Sequence, residues 1–206
     1  MNHSVSQNRT TEAALAQQIF AQLDRPIWVV TSVAGTSRGG LVATWVTQAS
    51  IDLSHPALMA GLAANHHTRD LVLASGAMAV HLLRPDQLDL VWRFALASGR
   101  TSDKLAGLEV VQACSGVPIL ADCLAWMDCR VITSFDGGDR TYILADVVAA
   151  ARVSDGPIMR ESHIFNSASA EQRGKLEANM NEDIEFARQA RERFRAQIRD
   201  SSLQRP

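Results

Sequence analysis

Thr44, Thr47, Gln48 and Ser50 interrupt a run, RGGLVATWVTQASI at 38–51, that otherwise reads as a buried strand. Strand side chains alternate between two faces. Leu41, Ala43, Trp45, Thr47, Ala49 and Ile51 share one face, and Val42, Thr44, Val46, Gln48 and Ser50 share the other. Thr44, Gln48 and Ser50 therefore project together, a row of small donors and acceptors beside an apolar surface. Such a row can hydrogen-bond the edge of a flat polar ligand. It equally describes the solvent side of an antiparallel sheet.

Asn65, His66, His67 and Thr68 form a second polar group, placed just before the helix-like RDLVLASG. With Thr68 as the cap, the helix start offers backbone N–H groups and a favourable dipole to an anion. A capped helix with exposed histidines accounts for the same residues. Taken together, the two stretches suit a flat ligand with a phosphate tail.

Other chemistries lack their residues. GTSRGG (35–40) is followed by neither GKS nor GKT, and GxGxxG and GxSxG are both absent. Cys114, Cys123 and Cys129 form no CxxC pair, and their spacing with the six histidines fits no common metal site. An odd set of unpaired cysteines fits a reducing cytoplasm.

The elements that must position these groups follow from periodicity. Residues 1–9 read as a tail, and a short helix follows, capped by Thr10 or Thr11. Strands are expected at 26–34, 41–51, 56–64, 77–83, 123–135 and 140–153, with GTSRGG and DGGD as turns. Helices are expected at 69–76 and 85–99, and the segment 99–120 reads as loop with one apolar run. From Ala170 a long charged helix carries an apolar stripe of Leu176, Met180, Ile184, Ala187, Phe194 and Ile198. Six strands with helices inserted in two places indicate a six-stranded antiparallel split β-barrel, mainly β with flanking helices and Greek-key-like. The irregular alternation argues against a doubly wound parallel sheet. The chain divides into a tail and helix (1–25), the barrel (26–165) and the C-terminal helix (166–206), all one domain.

The 206 residues, 47% hydrophobic and 20% charged, suffice for one core. A formal net charge of −2 gives no electrostatic footprint for nucleic acid or an anionic membrane. No run approaches a membrane span, and the polar N-terminus lacks a signal-peptide core.

Three blocks, GGLVATWVTQASI, NHHTRDLVLASGAMAVHLL, and SGRTSDKLAGL followed by GVPILADCLAWMDCRV, resemble the flavin reductase-like family, the FMN-binding split barrels. The likeness spans roughly 26–155. It implies that Thr44, Trp45, Val46, Gln48, Ala49 and Ser50 line the flavin ring and ribityl chain. It implies that Asn65, His66, His67 and Thr68 hold the phosphate, with Lys104 adding a charge-assisted contact. His163 would lie near a nicotinamide. The family often shows Arg-x-Ser-x-Thr in the phosphate loop; Ala64, His66 and Thr68 stand there, one cation short.

The implied activity is reduction of FMN, or FAD, by NADH or NADPH, with hydride passing from nicotinamide C4 to flavin N5 and no catalytic side chain required. The reduced flavin would supply a monooxygenase, and the protein would be a cytoplasmic homodimer, with the C-terminal helix a candidate for the interface. An FMN-binding redox protein or electron carrier with little reductase activity is the alternative. A module for another ligand, such as heme, is a third.

Overall fold

The computed structural model describes residues 2–203. Met1 and 204–206, at the ends of the expected tail and C-terminal helix, lie outside the described residues. The elements are α1 (Asn2–Phe20), β1 (Trp28–Ala34), β2 (Ser37–Ala43), β3 (Val46–Gln48), β4 (Ala57–Ala63), α2 (His67–Ser75), β5 (Ala77–Leu82), α3 (Leu88–Leu96), β6 (Val110–Gln112), β7 (Pro118–Leu120), β8 (Ala125–Asp136), β9 (Arg140–Arg152), α4 (Glu161–Ser167) and α5 (Ala170–Leu203).

Seven strands form one curled antiparallel sheet in the order β2-β1-β5-β8-β9-β4-β3, which corrects the expected count of six. The single strand expected at 41–51 is broken at Thr44–Trp45. Its first half pairs with β1 and its second half with β4. These are opposite edges of the sheet, so the break is where the chain crosses from one edge to the other and curls the sheet into a half-barrel. On the far side β8 and β9 run together from Ala125↔Arg152 to Asp136↔Thr141, with register shifts between Asp128 and Cys129 and between Val131 and Thr133.

GTSRGG is not all turn. Ala34 pairs with Ser37, leaving Gly35 and Thr36 as a two-residue loop, and Gly35 has φ +58°. A glycine at the first central position suits such a hairpin. Gly39 and Gly40 sit inside β2 for a different reason. A Cβ on Gly40 would lie 2.6 Å from the Phe94 ring, and one on Gly39 would lie 3.2 Å from Leu71. The glycine pair lets α3 and α2 approach opposite faces of the same strand. Phe94 is 1% exposed as a result, and burying a side chain of this size contributes about 1.5–3 kcal/mol.

Inside the curl, Val30, Leu41, Leu58, Leu62, Met78, Val80 and Ile143 make one core. Outside it, Ile27, Val29, Leu83, Val91, Phe94, Leu105 and Met159 make a second under α3 and α4. The 99–120 segment is not merely loop. β6 and β7 form a small hairpin that covers Ala77 and Ala79 with Val117 and Ile119. Asp128 fixes the turn of that hairpin, accepting from Ser115 N at 2.8 Å and from the Ser115 hydroxyl.

Helix ends also move. α1 runs through Thr10 and Thr11 instead of starting there, and α3 is three residues shorter at each end than 85–99. α4 occupies the PIMRESHIF region, where no helix was expected. α5 begins at Ala170 as expected but faces differently. Leu176 joins the outer core, Asn179 donates to Ala95 O, Ala190 is buried, and Phe194 packs on Gly138. Met180, Ile184 and Ile198 of the expected stripe are about half exposed. α5 therefore packs on its own barrel through the 176–179–183–190–194 face. Among the described residues no helix is long and apolar enough to cross a membrane.

Candidate functional site

The break in the bent strand is also where the polar row begins. Thr44 is half-buried in the bend. Trp45 is 39% exposed. Its carbonyl accepts from Gly61 N at 2.8 Å, and its ring lies 4.1 Å from the Arg140 guanidinium carbon, a cation–π contact. Val46 and Gln48 pair with Ala60 and Leu58, so both belong to the inner face of the curl, with Gln48 at its exposed rim. Gln48 Nε2 donates to Ser50 O at 2.6 Å, and Ser50 Oγ accepts from Asp52 N at 3.1 Å. Ala49 N bonds Ala57 O. The expected row is therefore not one strand face: Thr44 lies in the bend, Gln48 ends β3 and Ser50 lies beyond it, with the far end turned toward its own backbone, and Ile51 and Leu53 are 95% and 91% exposed.

The loop before α2 stands beside Trp45 through β4 and β9. Ala63 pairs with Arg140, and Ala64 N bonds Asp139 O. This registers the loop Asn65–His66 next to the guanidinium that covers Trp45. α2 starts at His67 with His66 as its N-cap, two residues earlier than a Thr68 cap requires, and no side chain caps it. Thr68 is instead 2% exposed, with its hydroxyl 3.5 Å from where a Gly39 Cβ would be. It packs beneath β2, with its hydroxyl turned to Gly39. Such a start, with no side-chain acceptor, leaves first-turn N–H groups to an outside anion.

The two histidines diverge. His66 Nε2 lies 3.5 Å from Asp183 Oδ2 on α5, and Asn65 Nδ2 donates to Asp183 Oδ1 at 2.9 Å. The His66 contact, with Asn65 helping, holds the Asp183 carboxyl below its ordinary range against the opposing effect of burial. His67 turns to the other side, with Nε2 3.2 Å from Ser37 Oγ and its ring against Gly39 and Gly99. On that side a cleft of about 330 Å³ runs between β2 and the 99–103 loop, lined by Ser37, Arg38, Arg100, Thr101 and Ser102 among others. Arg38 there pairs with Asp103 at 2.8 Å, and Arg100 with Asp70 at 2.8 Å.

Lys104 follows Asp103, the last of the cleft-lining residues. It is 8% exposed, and its Nζ donates to Phe94 O at 2.8 Å, near the C-terminal end of α3. Burial brings its ammonium down to about 8. Its stem passes Gly99, the glycine that also meets His67. His163 is not brought to the other site residues. Its Nδ1 accepts from Arg160 N at 3.4 Å in the capping box of α4.

Sequence reasoning missed Arg140, Arg100 and Asp183. Arg140 and Asp183 reach the loop from 75 and 118 residues away, by β9 pairing and by α5 packing, and no local pattern marks them. Four buried polar atoms lack hydrogen-bond partners among the described residues: Trp28 Nε1, Asn65 Oδ1, Arg69 Nε and Arg140 Nε, the last standing 3.9 Å from Asp139 Oδ2. Asn65 lies in the loop before α2 and Arg140 beside it, Arg69 is in the first turn of α2, and Trp28 pairs with Ala43, one residue before the bend. Three of these atoms, Trp28 Nε1, Arg69 Nε and Arg140 Nε, are donors and Asn65 Oδ1 is an acceptor; donors gathered along a bent strand and a helix start fit a ligand that is flat at one end and anionic at the other.

Residues 20–165 match the flavin reductase like domain, and the chain belongs to that family. Its fold is similar to the NADH:FAD oxidoreductase of Streptomyces globisporus C-1027, at 25% identity and TM-score 0.60 over 66% of this chain and 81% of that one. It is also similar to the FMN-binding protein of Thermus thermophilus, at 22% identity and TM-score 0.59 over 64% of this chain and 72% of that one. Among curated proteins it is similar to diflavin flavoprotein A 1 of Synechocystis sp. strain PCC 6803, 22% identical over 132 residues, which are 64% of this chain and 23% of that protein. The chain spans about a quarter of the length of the curated relatives it matches.

Proposed function

We propose that the protein is an NAD(P)H:flavin oxidoreductase that takes FMN, with FAD as the alternative flavin. The observation that carries this reading is the start of α2, uncapped by any side chain and flanked by Asn65, His66 and His67, set beside the Thr44–Trp45 bend. The flavin ring and ribityl chain lie along Thr44–Ser50, and the phosphate rests at the α2 mouth. When bound, flavin supplies the hydride-accepting chemistry, taking hydride at N5 from nicotinamide C4 of NADH or NADPH.

The protein's own part is positional. The bend offers Thr44 and the free edge of β3 to the ring edge, the Trp45–Arg140 pair closes one side, and the curled sheet excludes water behind it. No protein nucleophile or general acid is needed, which agrees with a site built of amides, hydroxyls and imidazoles. His163, at the α4 cap, is not assigned a part.

The remaining features of the reading follow the same family logic. A homodimer would cover exposed apolar side chains on β8–β9 and the 51–53 loop, among them Ile132, Val148, Ile51 and Leu53. The cytoplasm suits three free cysteines, and a monooxygenase would consume the released reduced flavin. A second reading, a flavin module passing electrons within a larger redox protein, is favoured by the quarter-length match to diflavin flavoproteins.

Steady-state oxidation of NADH and NADPH against FMN, FAD and riboflavin tests the reading, together with the visible spectrum of the purified protein. Turnover with added flavin supports the reductase. Retained flavin without nicotinamide turnover supports the electron-carrying module. Absence of binding by any flavin overturns both.

A further inference from the structure

The acid that meets the anion seat belongs to the protein itself. Asp183 comes from α5, 118 residues after Asn65, and its two carboxylate oxygens engage the two polar side chains that precede α2. Asn65 Nδ2 donates to one oxygen at 2.9 Å, and His66 Nε2 stands 3.5 Å from the other. Arg140 adds positive potential to the same carboxylate. A carboxylate bridging these groups presents an anionic oxygen pair where a phosphate would be expected to present its own.

We propose that Asp183 is a specificity residue for the flavin tail, an internal competitor that a phosphorylated flavin must displace and a tail-less flavin need not. The inference rests on the flavin reading above and refines it by naming what sets the selectivity of the phosphate seat.

Displacement does not require α5 to move. The helix is anchored on both sides of Asp183, by Leu176 in the outer core, by Ala190, by Arg191 on Asp139 at 3.1 Å and by Phe194 on Gly138. The Asp183 side chain itself is 40% exposed. A change of rotamer takes its carboxylate into water and frees Asn65 and His66. The incoming phosphate then gains those donors but retains a carboxylate nearby, and like charges in a half-buried site repel. FMN binding is thereby weakened relative to riboflavin, which leaves the Asp183 contacts intact. A weakly held FMN is a flavin that exchanges, the behaviour of a substrate rather than of a fixed prosthetic group.

The test is titration of the intact chain with FMN and with riboflavin, followed by flavin fluorescence, for the wild type, Asp183→Asn, Asp183→Ala and Glu182→Gln. Asparagine keeps the shape and removes the charge, and alanine removes the contact. Glu182 is the exposed neighbouring acid on α5, so its substitution changes net charge equally without touching the seat. Both Asp183 variants should bind FMN about tenfold more tightly, the size of one charge-assisted hydrogen bond released, with riboflavin and the Glu182 variant unchanged. Unchanged or weaker FMN binding in the Asp183 variants would overturn the inference, and so would an equal gain from Glu182→Gln. If no variant binds either flavin, the flavin reading fails and takes the inference with it. If both flavins bind but the Asp183 variants do not discriminate, the inference alone fails.

Discussion

His81 lies wholly inside the molecule, with Nδ1 2.9 Å from Val29 O and Nε2 3.1 Å from Leu120 N. His66 and His67 stand half-buried at the mouth of α2, each with one ring nitrogen near a polar side chain, at 3.5 and 3.2 Å. The carbonyl beside His81 can only accept, so Nδ1 carries the proton and Nε2 accepts from Leu120 N–H. Both nitrogens are used, the tautomer is fixed, and the β6–β7 hairpin is tied to the sheet. The α2 histidines have a nitrogen each to spare and partners that can turn away. The difference separates a histidine that holds the fold from histidines that remain available to a ligand.

The comparison breaks most directly at His81. His81→Ala leaves Leu120 N–H buried without a partner and opens a cavity, which should cost about 3–5 kcal/mol. Urea unfolding measures it, and flavin affinity per folded molecule should not change. A loss under 1 kcal/mol would mean that the hairpin is not held through this ring.

Acid sharpens the same contrast. Burial pushes His81 down from 6.5 to about 4. Between those values the unfolded chain takes up a proton that the folded chain refuses. Its contribution is therefore complete above pH 6.5 and is lost as pH falls toward 4, by about 3 kcal/mol in all. His81→Gln should flatten that part of the stability–pH curve.

At the other pole, His66→Gln together with His67→Gln should leave urea stability within about 0.5 kcal/mol of wild type, since both rings are half exposed. FMN should bind roughly three- to tenfold more weakly and riboflavin nearly normally, because only FMN carries a phosphate. Equal losses for both flavins in a fluorescence titration would remove the histidines from the phosphate seat.

The two regions also differ in how far a sequence discloses them. The strands at 28–34, 57–63, 77–82, 125–136 and 140–152 were all legible, because alternation and β-branched content act locally. The bend at Thr44–Trp45 was not. Its cause is closure of the curled sheet, a long-range demand that residues 41–51 cannot express. Gly39 and Gly40 read as turn residues because glycine usually is, whereas here they answer to Leu71 and Phe94 on packed helices. The loop before α2 was found from its polar residues, but the helix start shifted to His67, since Thr68 is used to pack under β2. The Asp183 contact had no local trace. His81 itself gave no sign of its burial beyond its place in an apolar strand, AMAVHLL.

The smallest effect belongs to Gln48, which lies between the two poles. Its register partner, Leu58, is 2% exposed, yet Gln48 itself is on the rim, and its amide spends a donor on Ser50 O at 2.6 Å. That bond is local and solvent-facing, so Gln48→Leu should change the stability of the apoprotein by less than about 0.5 kcal/mol in thermal or urea unfolding. A flavin ring edge laid along β3 would lose one neutral hydrogen bond, about 0.5–1.5 kcal/mol, which is roughly two- to tenfold in affinity. The loss should be the same for FMN and riboflavin, because the ring and ribityl chain are common to both. That equality distinguishes Gln48 from His66 and His67, whose effect depends on the phosphate. If stability collapses while affinity per folded molecule is normal, the Gln48–Ser50 link shapes the 48–55 loop, and the polar row is structural at this end.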